Sequence, residues 1–219
     1  IVGLGAGLSV GSRILGGLAL IYALIAFAPI WVADIRSHGW RETGRRLSHV
    51  LYVMLPGLVF GYLVMGLIWP VSIIDVTNPF KALTYFSHFF EKPWKELFDG
   101  AIVSVPDMPW SYLPTLFALQ LPEVMLALLA AGVLTTAVVV WKPASDPKRK
   151  TILLLLVLAA LLPLIIAMVK RPALYNGIRH FVFVIPPMAV LAGVGFAAIS
   201  DWLKTRNRKA QAAFAGLIA

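Results

Sequence analysis

Cysteine is absent from the 219 residues, and acids are scarce: ten Asp and Glu stand against nineteen Lys and Arg. The first absence excludes a disulfide framework, an iron–sulfur site and a cysteine-rich zinc site. Charged residues make up only 13% of the chain, about half the share usual in a soluble domain. The four histidines show no metal-ligand spacing: His38 and His49 fall in one basic stretch, and His88 and His180 are far apart. No metal is therefore expected, and no serine or cysteine nucleophile motif is present. What is abundant is apolar: 60% of the residues, with a mean hydropathy of +0.86. A net charge of +9 does not point to nucleic acid, because the basic residues form short clusters between apolar runs.

A bilayer core of about 30 Å takes roughly 20 helical residues to cross. Five segments qualify, at 16–33, 50–69, 119–140, 151–169 and 181–200. In hydrocarbon every backbone N–H and C=O must pair within its own segment, so these are helices. Apolar pieces at 1–11 and 210–219 read as parts of a sixth and a seventh helix. The predicted fold is therefore all-α: a polytopic transmembrane helical bundle of about five full spans and two partial ones, filling residues 1–219. Neither end reads as a natural terminus, since Ile1 opens directly on an apolar run, and no basic n-region or small-residue cleavage site marks a signal peptide. The glycine-rich run 3–11, GLGAGLSVG, is a helix-packing stripe; no βαβ pattern surrounds it to make a dinucleotide site. Pro29, Pro56, Pro122, Pro163, Pro186 and Pro187 lie within or near the spans as packing features or kinks.

Lys and Arg placement orients the chain. The connections 34–49, 141–150 and 201–209 hold twelve of the nineteen basic residues, and all three can face the cytoplasm together. The opposite side then receives the long segment 70–117 and the short turn 170–180. That turn carries Lys170, Arg171, Arg179 and His180 without an acid, where short outer loops normally avoid Lys and Arg. These side chains either snorkel to lipid headgroups or bind phosphate, whose oxygens a guanidinium matches bidentately. Arg13, bracketed by apolar spans, has the same character.

Segment 70–117 is too long for a plain connector and rich in aromatics, among them Phe80, Tyr85, Phe86, Phe89, Phe90, Trp94, Phe98, Trp110 and Tyr112. Disordered segments are poor in such residues, so an ordered extracytoplasmic subdomain lying on the membrane is expected. Asn78-Pro79 starts a short helix over 79–90, LFDG at 97–100 marks a turn, and 101–105 is a brief extended piece. The aromatics anchor the interface or grip a sugar ring. Outer-side acids are Asp75, Glu91, Glu96, Asp99 and Asp107. Asp99 is the candidate general base, although a turn-forming Asp explains it equally. Glu123, behind Pro122, suits the first turn of a helix.

Taken together, FSHF at 86–89, LFDG at 97–100, MPWSYLP at 108–114, LQLPE at 119–123 and above all YNGIRHFVFVIPP at 175–187 resemble bacterial glycosyltransferase family 39. These are the dolichyl-phosphate-mannose-protein mannosyltransferase-like membrane proteins of GT-C fold, and the likeness covers their central to C-terminal part. The resemblance implies transfer of a sugar from a polyprenyl-phosphate donor to an extracytoplasmic acceptor, with inversion and without a cofactor. It implies that the acidic residue serving as catalytic base lies in an outer loop upstream of residue 1. Arg13, Arg171, Arg179 and His180 then hold the donor phosphate, and Trp94, Trp110, Tyr112 and Tyr175 shape the acceptor loop. The expected partners are the lipid bilayer, the polyprenyl-phosphate-linked sugar and further helices of the same protein or other membrane subunits, in a bacterial inner membrane. Two other readings stay open: a non-catalytic membrane subunit or scaffold derived from such an enzyme, and a transporter or lipid flippase, although no internal repeat supports the latter.

Overall fold

The computed structural model describes residues 2–12, 14–87 and 94–218. Arg13, His88, Phe89, Phe90 and Glu91 lie outside the described residues. The chain is predominantly helical, and four of its helical stretches are long and apolar enough to cross a membrane: Ile21–Ile68, Glu123–Trp141, Pro147–Lys170 and Arg179–Arg206. It divides into two compact units, Ile1–Pro93 and Trp94–Ala219, so the boundary falls inside the segment 70–117.

The first unit holds α1 (Val2–Ser12), a 3-10 turn (Ile14–Gly17), α2 (Leu18–Ala26), α3 (Ala28–Ile68), the one-turn α4 (Val71–Ile74) and α5 (Asn78–Ser87). The basic connection at 34–49 is not a loop. Both of its halves are helical, joined where Gly39 takes φ 79° and ψ 165°, a region open to glycine alone. Glu42 pairs with Arg45 and Arg46 one turn on, which supports helix locally. Arg46 also donates to Asp34 at 2.9 Å. Twelve residues of straight helix span about 18 Å, so the chain bends sharply at Gly39. The glycine stripe packs as expected, but selectively. Gly3 lies on Gly57, Gly7 on Gly61, and Gly11 on Met65 and Ile68, so α1 runs parallel to the second half of α3; Gly5 faces open space. Beyond α3, Asp75 accepts from the backbone and hydroxyl of Thr77 and pairs with Lys81. The Lys81 ammonium, with the Thr77 donors, holds this carboxyl well below the usual carboxylate range.

The second unit opens on an antiparallel hairpin, β1 (Lys95–Phe98) and β2 (Ala101–Ser104). Its two-residue tip, Asp99-Gly100, has φ 51° and 76°. A type I′ turn needs positive φ at both central residues, which Asp-Gly supplies. A short 3-10 turn (Val105–Asp107) leads to α6 (Tyr112–Gln120). The expected span at 119–140 is interrupted. Leu121 is extended and α7 (Glu123–Trp141) begins only after Pro122, because a proline bars helical backbone at the residue before it. Glu123 does occupy the first turn of α7. α8 (Pro147–Lys170) starts at Asp146, whose carboxylate accepts from the Lys148 amide, and carries Pro163 in its interior. Pro186 and Pro187 do not kink a helix. They sit in the first turn of α9 (Ile185–Arg206), after the 3-10 segment Arg179–Val184. Of the other basic connections, 201–209 is helical except at Asn207, and 141–150 keeps a short non-helical link at 142–146 between α7 and α8. α10 (Arg208–Ile218) turns back onto α9, with Phe214 stacked on Phe196 and Gln211 bonded to Ser200. Leu113, Phe117, Leu128, Phe181, Val184, Met188 and Leu191 form the core of this unit.

Candidate functional site

The connection between α8 and α9 carries the basic turn singled out in the sequence. α8 ends at Lys170, and Arg171 follows in the left-handed region at φ 46°, its amide bonded to the Ala167 carbonyl. Basic side chains at a helix C-terminus complement its dipole. Asn176 and Gly177 also take positive φ, 56° and 69°, and reverse the chain into the 3-10 segment that opens with Arg179 and His180.

This turn is fastened to the hairpin through one carboxylate. Glu96, midway along β1, accepts the Tyr112 hydroxyl at 2.8 Å on one oxygen and the Asn176 amide at 2.5 Å on the other. The Tyr112 oxygen in turn accepts the Gly177 amide at 3.2 Å. Glu96, Tyr112 and the backbone of 176–177 thus form a closed latch between residues 80 positions apart in sequence. Hydrogen bonds to an ionised acceptor are about twice as strong as neutral ones, and the Phe98 ring meets Tyr112 edge-on at 5.1 Å. Beside the latch, Tyr175 contacts Trp94 at 5.7 Å and His180 at 4.9 Å, both edge-on. The Arg179 guanidinium lies 5.5 Å from the Tyr175 ring centroid, a distance at which the ring quadrupole attracts the cation.

Trp94, Tyr112, Tyr175, Arg179 and His180 therefore gather in one place. Arg171 begins the same turn and is exposed. Trp110 is exposed in the connection before α6. Tyr112 is only 2% exposed, and its hydroxyl bonds inside the protein. Asp99 is the exposed first residue of the hairpin tip, about 10 Å along the strand from Glu96. Arg13 lies outside the described residues. Among those described, no group of three or more His, Asp or Glu is placed to hold a metal ion. The residue that organises the site, Glu96, stood in the sequence only as one of several outer-side acids. Its signal was available: in the alternation 95–98 before an Asp-Gly turn it shares a face with Phe98. An acid on the apolar face of a short strand calls for a partner.

Burial pushes the Tyr112 phenol up to about 12, with the Glu96 carboxylate adding to the rise and the Gly177 amide opposing it. An unfolded tyrosine ionises near pH 10. The folded chain then keeps a proton that the unfolded chain has lost, so this contribution to stability is complete below pH 10 and falls away as pH rises toward 12. Thermal midpoints measured across that window are expected to fall less steeply for Tyr112→Phe than for the wild type; parallel slopes would refute the coupling.

Chemically, the site offers exposed guanidinium groups on a backbone turn that is anchored from behind, with aromatic edges alongside. Such an arrangement suits an anion attached to a larger apolar or sugar-bearing body. Compared with known proteins, the chain matches no family model, no curated protein and no solved structure.

Proposed function

We propose that the chain forms the membrane body of a GT-C-like glycosyltransferase of the family 39 type, which takes its sugar from a polyprenyl-phosphate donor. The observation that carries this reading is the latched basic turn. Arg179 is held over Tyr175 on a segment fixed by Glu96 and Tyr112, within the stretch 175–187 that most resembles the family. We read five crossings. The 48 residues of Ile21–Ile68 would extend about 72 Å as one helix, more than twice a bilayer core, so the Gly39 bend separates two spans. Connections 34–49, 141–150 and 201–209 face the cytoplasm of a bacterial inner membrane, and the hairpin and the turn 170–180 face outward.

In the reaction, an acceptor hydroxyl gives its proton to a carboxylate base and attacks the anomeric carbon while the bond from that carbon to the phosphate oxygen breaks. The polyprenyl phosphate leaves with the electron pair. Negative charge grows on its oxygens, and fixed guanidinium groups in a water-poor setting stabilise it more in the transition state than before. Arg179 and Arg171 take this role, with His180 alongside; Trp94, Tyr175 and Trp110 line the approach of the acceptor. Arg179→Ala in the full-length protein is expected to lower sugar transfer from a polyprenyl-phosphate donor by about 10²–10³-fold. Arg179→Lys, which keeps the charge but not the two-pronged geometry, should fall between. Undiminished turnover by Arg179→Ala would defeat the assignment.

A further inference from the structure

The two faces of the β1–β2 hairpin differ in what they meet. Glu96, Phe98, Ala101 and Val103 share one face, and Phe98 and Val103 pack against the buried cluster of the second unit. Lys95, Leu97, Ile102 and Ser104 share the other. There Leu97 and Ile102 stand directly opposite each other across the ladder, 74% and 73% exposed. The outer face of a solvated antiparallel pair is ordinarily polar.

The position of the hairpin identifies what covers that face. Glu96 bonds to Asn176, six residues beyond the end of the membrane-length helix α8 and nine before the start of α9. From β2 the chain passes through a 3-10 turn and α6 into α7, another membrane-length helix. The hairpin therefore stands at the level where these helices end, and there a bilayer changes from acyl chains to headgroups. Aliphatic side chains on one face with a Lys at the rim are what that boundary accommodates.

We propose that the outer face of the hairpin, Leu97 and Ile102 with Lys95 at its edge, rests in the lipid interface, with phospholipid at the acyl–headgroup boundary as its occupant. This stands apart from the glycosyltransferase reading, which gives no role to Lys95, Leu97 or Ile102. The lack of cysteine in the chain makes the test direct. Leu97→Cys and Ile102→Cys, labelled one at a time with a fluorophore, are reconstituted in phosphatidylcholine vesicles. Leu134→Cys, at an exposed position midway along α7, and Ala144→Cys, in the exposed connection after it, serve as the lipid and water references. Labels at 97 and 102 should be quenched several-fold more by lipid carrying a nitroxide near the headgroup than by aqueous iodide. The label at 134 should respond best to a nitroxide deep in the acyl chain, and the label at 144 to iodide. Iodide quenching at 97 and 102 equal to that at 144 would place the hairpin in water and overturn the proposal. Protection from both quenchers would overturn it as well, by showing that protein covers the face. Labelling opposite strands in separate experiments guards against a local effect of either fluorophore.

Discussion

Gly132→Leu is expected to unseat α7 from α9. These helices cross where Gly132 meets Leu191 and Gly195 meets Leu128. A Cβ at Gly132 would fall 2.0 Å from the Leu191 carbonyl oxygen, and one at Gly195 would fall 2.1 Å from that of Leu128. Both obstacles are backbone, so no rotamer relieves the clash and the helices must separate. Separation loosens Leu128, Leu129, Met188, Leu191 and Ala192, which are buried around the crossing. Overpacking of this kind costs typically 1–3 kcal/mol and occasionally more, and here about 3 kcal/mol or more is expected because main chain must move. Gly193→Leu is the control: it is an exposed position on α9 with open space around it. Thermal unfolding in detergent should show a large drop for Gly132→Leu and little change for Gly193→Leu. Equal midpoints would mean that the crossing does not depend on glycine.

Glu96→Ala is expected to release the basic turn while leaving that crossing intact. Both carboxylate oxygens are engaged, one by the Tyr112 hydroxyl and one by the Asn176 amide. Hydrogen bonds to charged groups contribute about 1.5–3 kcal/mol each, a range to be reduced here because Glu96 is only half-buried and solvent screens it. Loss of the acceptor should accelerate hydrogen exchange at the Asn176 and Gly177 amides and, in the enzyme reading, reduce transfer through misplacement of Arg179. Glu96→Gln retains one acceptor oxygen but turns an N–H donor toward the other donor, so an intermediate effect is expected. Exchange at 176 and 177 that matches the wild type in Glu96→Ala would show that the latch does not hold the turn.

The two substitutions differ in how far the sequence foretold them. The acid of the latch was visible as a residue but not as a partner, since nothing near Glu96 in sequence marks Asn176. The same limit applies to the glycines. The run 3–11 was recognisable as a packing stripe, yet Gly5 belongs to the same run and faces open space, while Gly132 and Gly195, each within a stretch of other small residues, carried no mark of which partner they would meet. Boundaries failed where a local rule was outweighed or overlooked. Pro122 and the extended Leu121 cut into the expected span at 119–140, and the basic stretch 34–49 stayed helical on either side of Gly39, with the Glu42 pairs to Arg45 and Arg46 supporting its second half. Conversely, the LFDG turn was legible as a turn, since the conformation of Asp99-Gly100 is a property of those two residues.

Local chemistry decided the helical class, the membrane-length runs and the hairpin tip. Backbone polar groups in an apolar run have no partner except within their own helix, and an Asp-Gly pair favours positive φ wherever it occurs. Tertiary structure alone decided which glycines touch, which acid closes the latch and which aromatic supports Arg179. Those contacts depend on how closely separate backbones approach, and that approach is set by the packing of the whole helical unit rather than by any residue's neighbours in the chain.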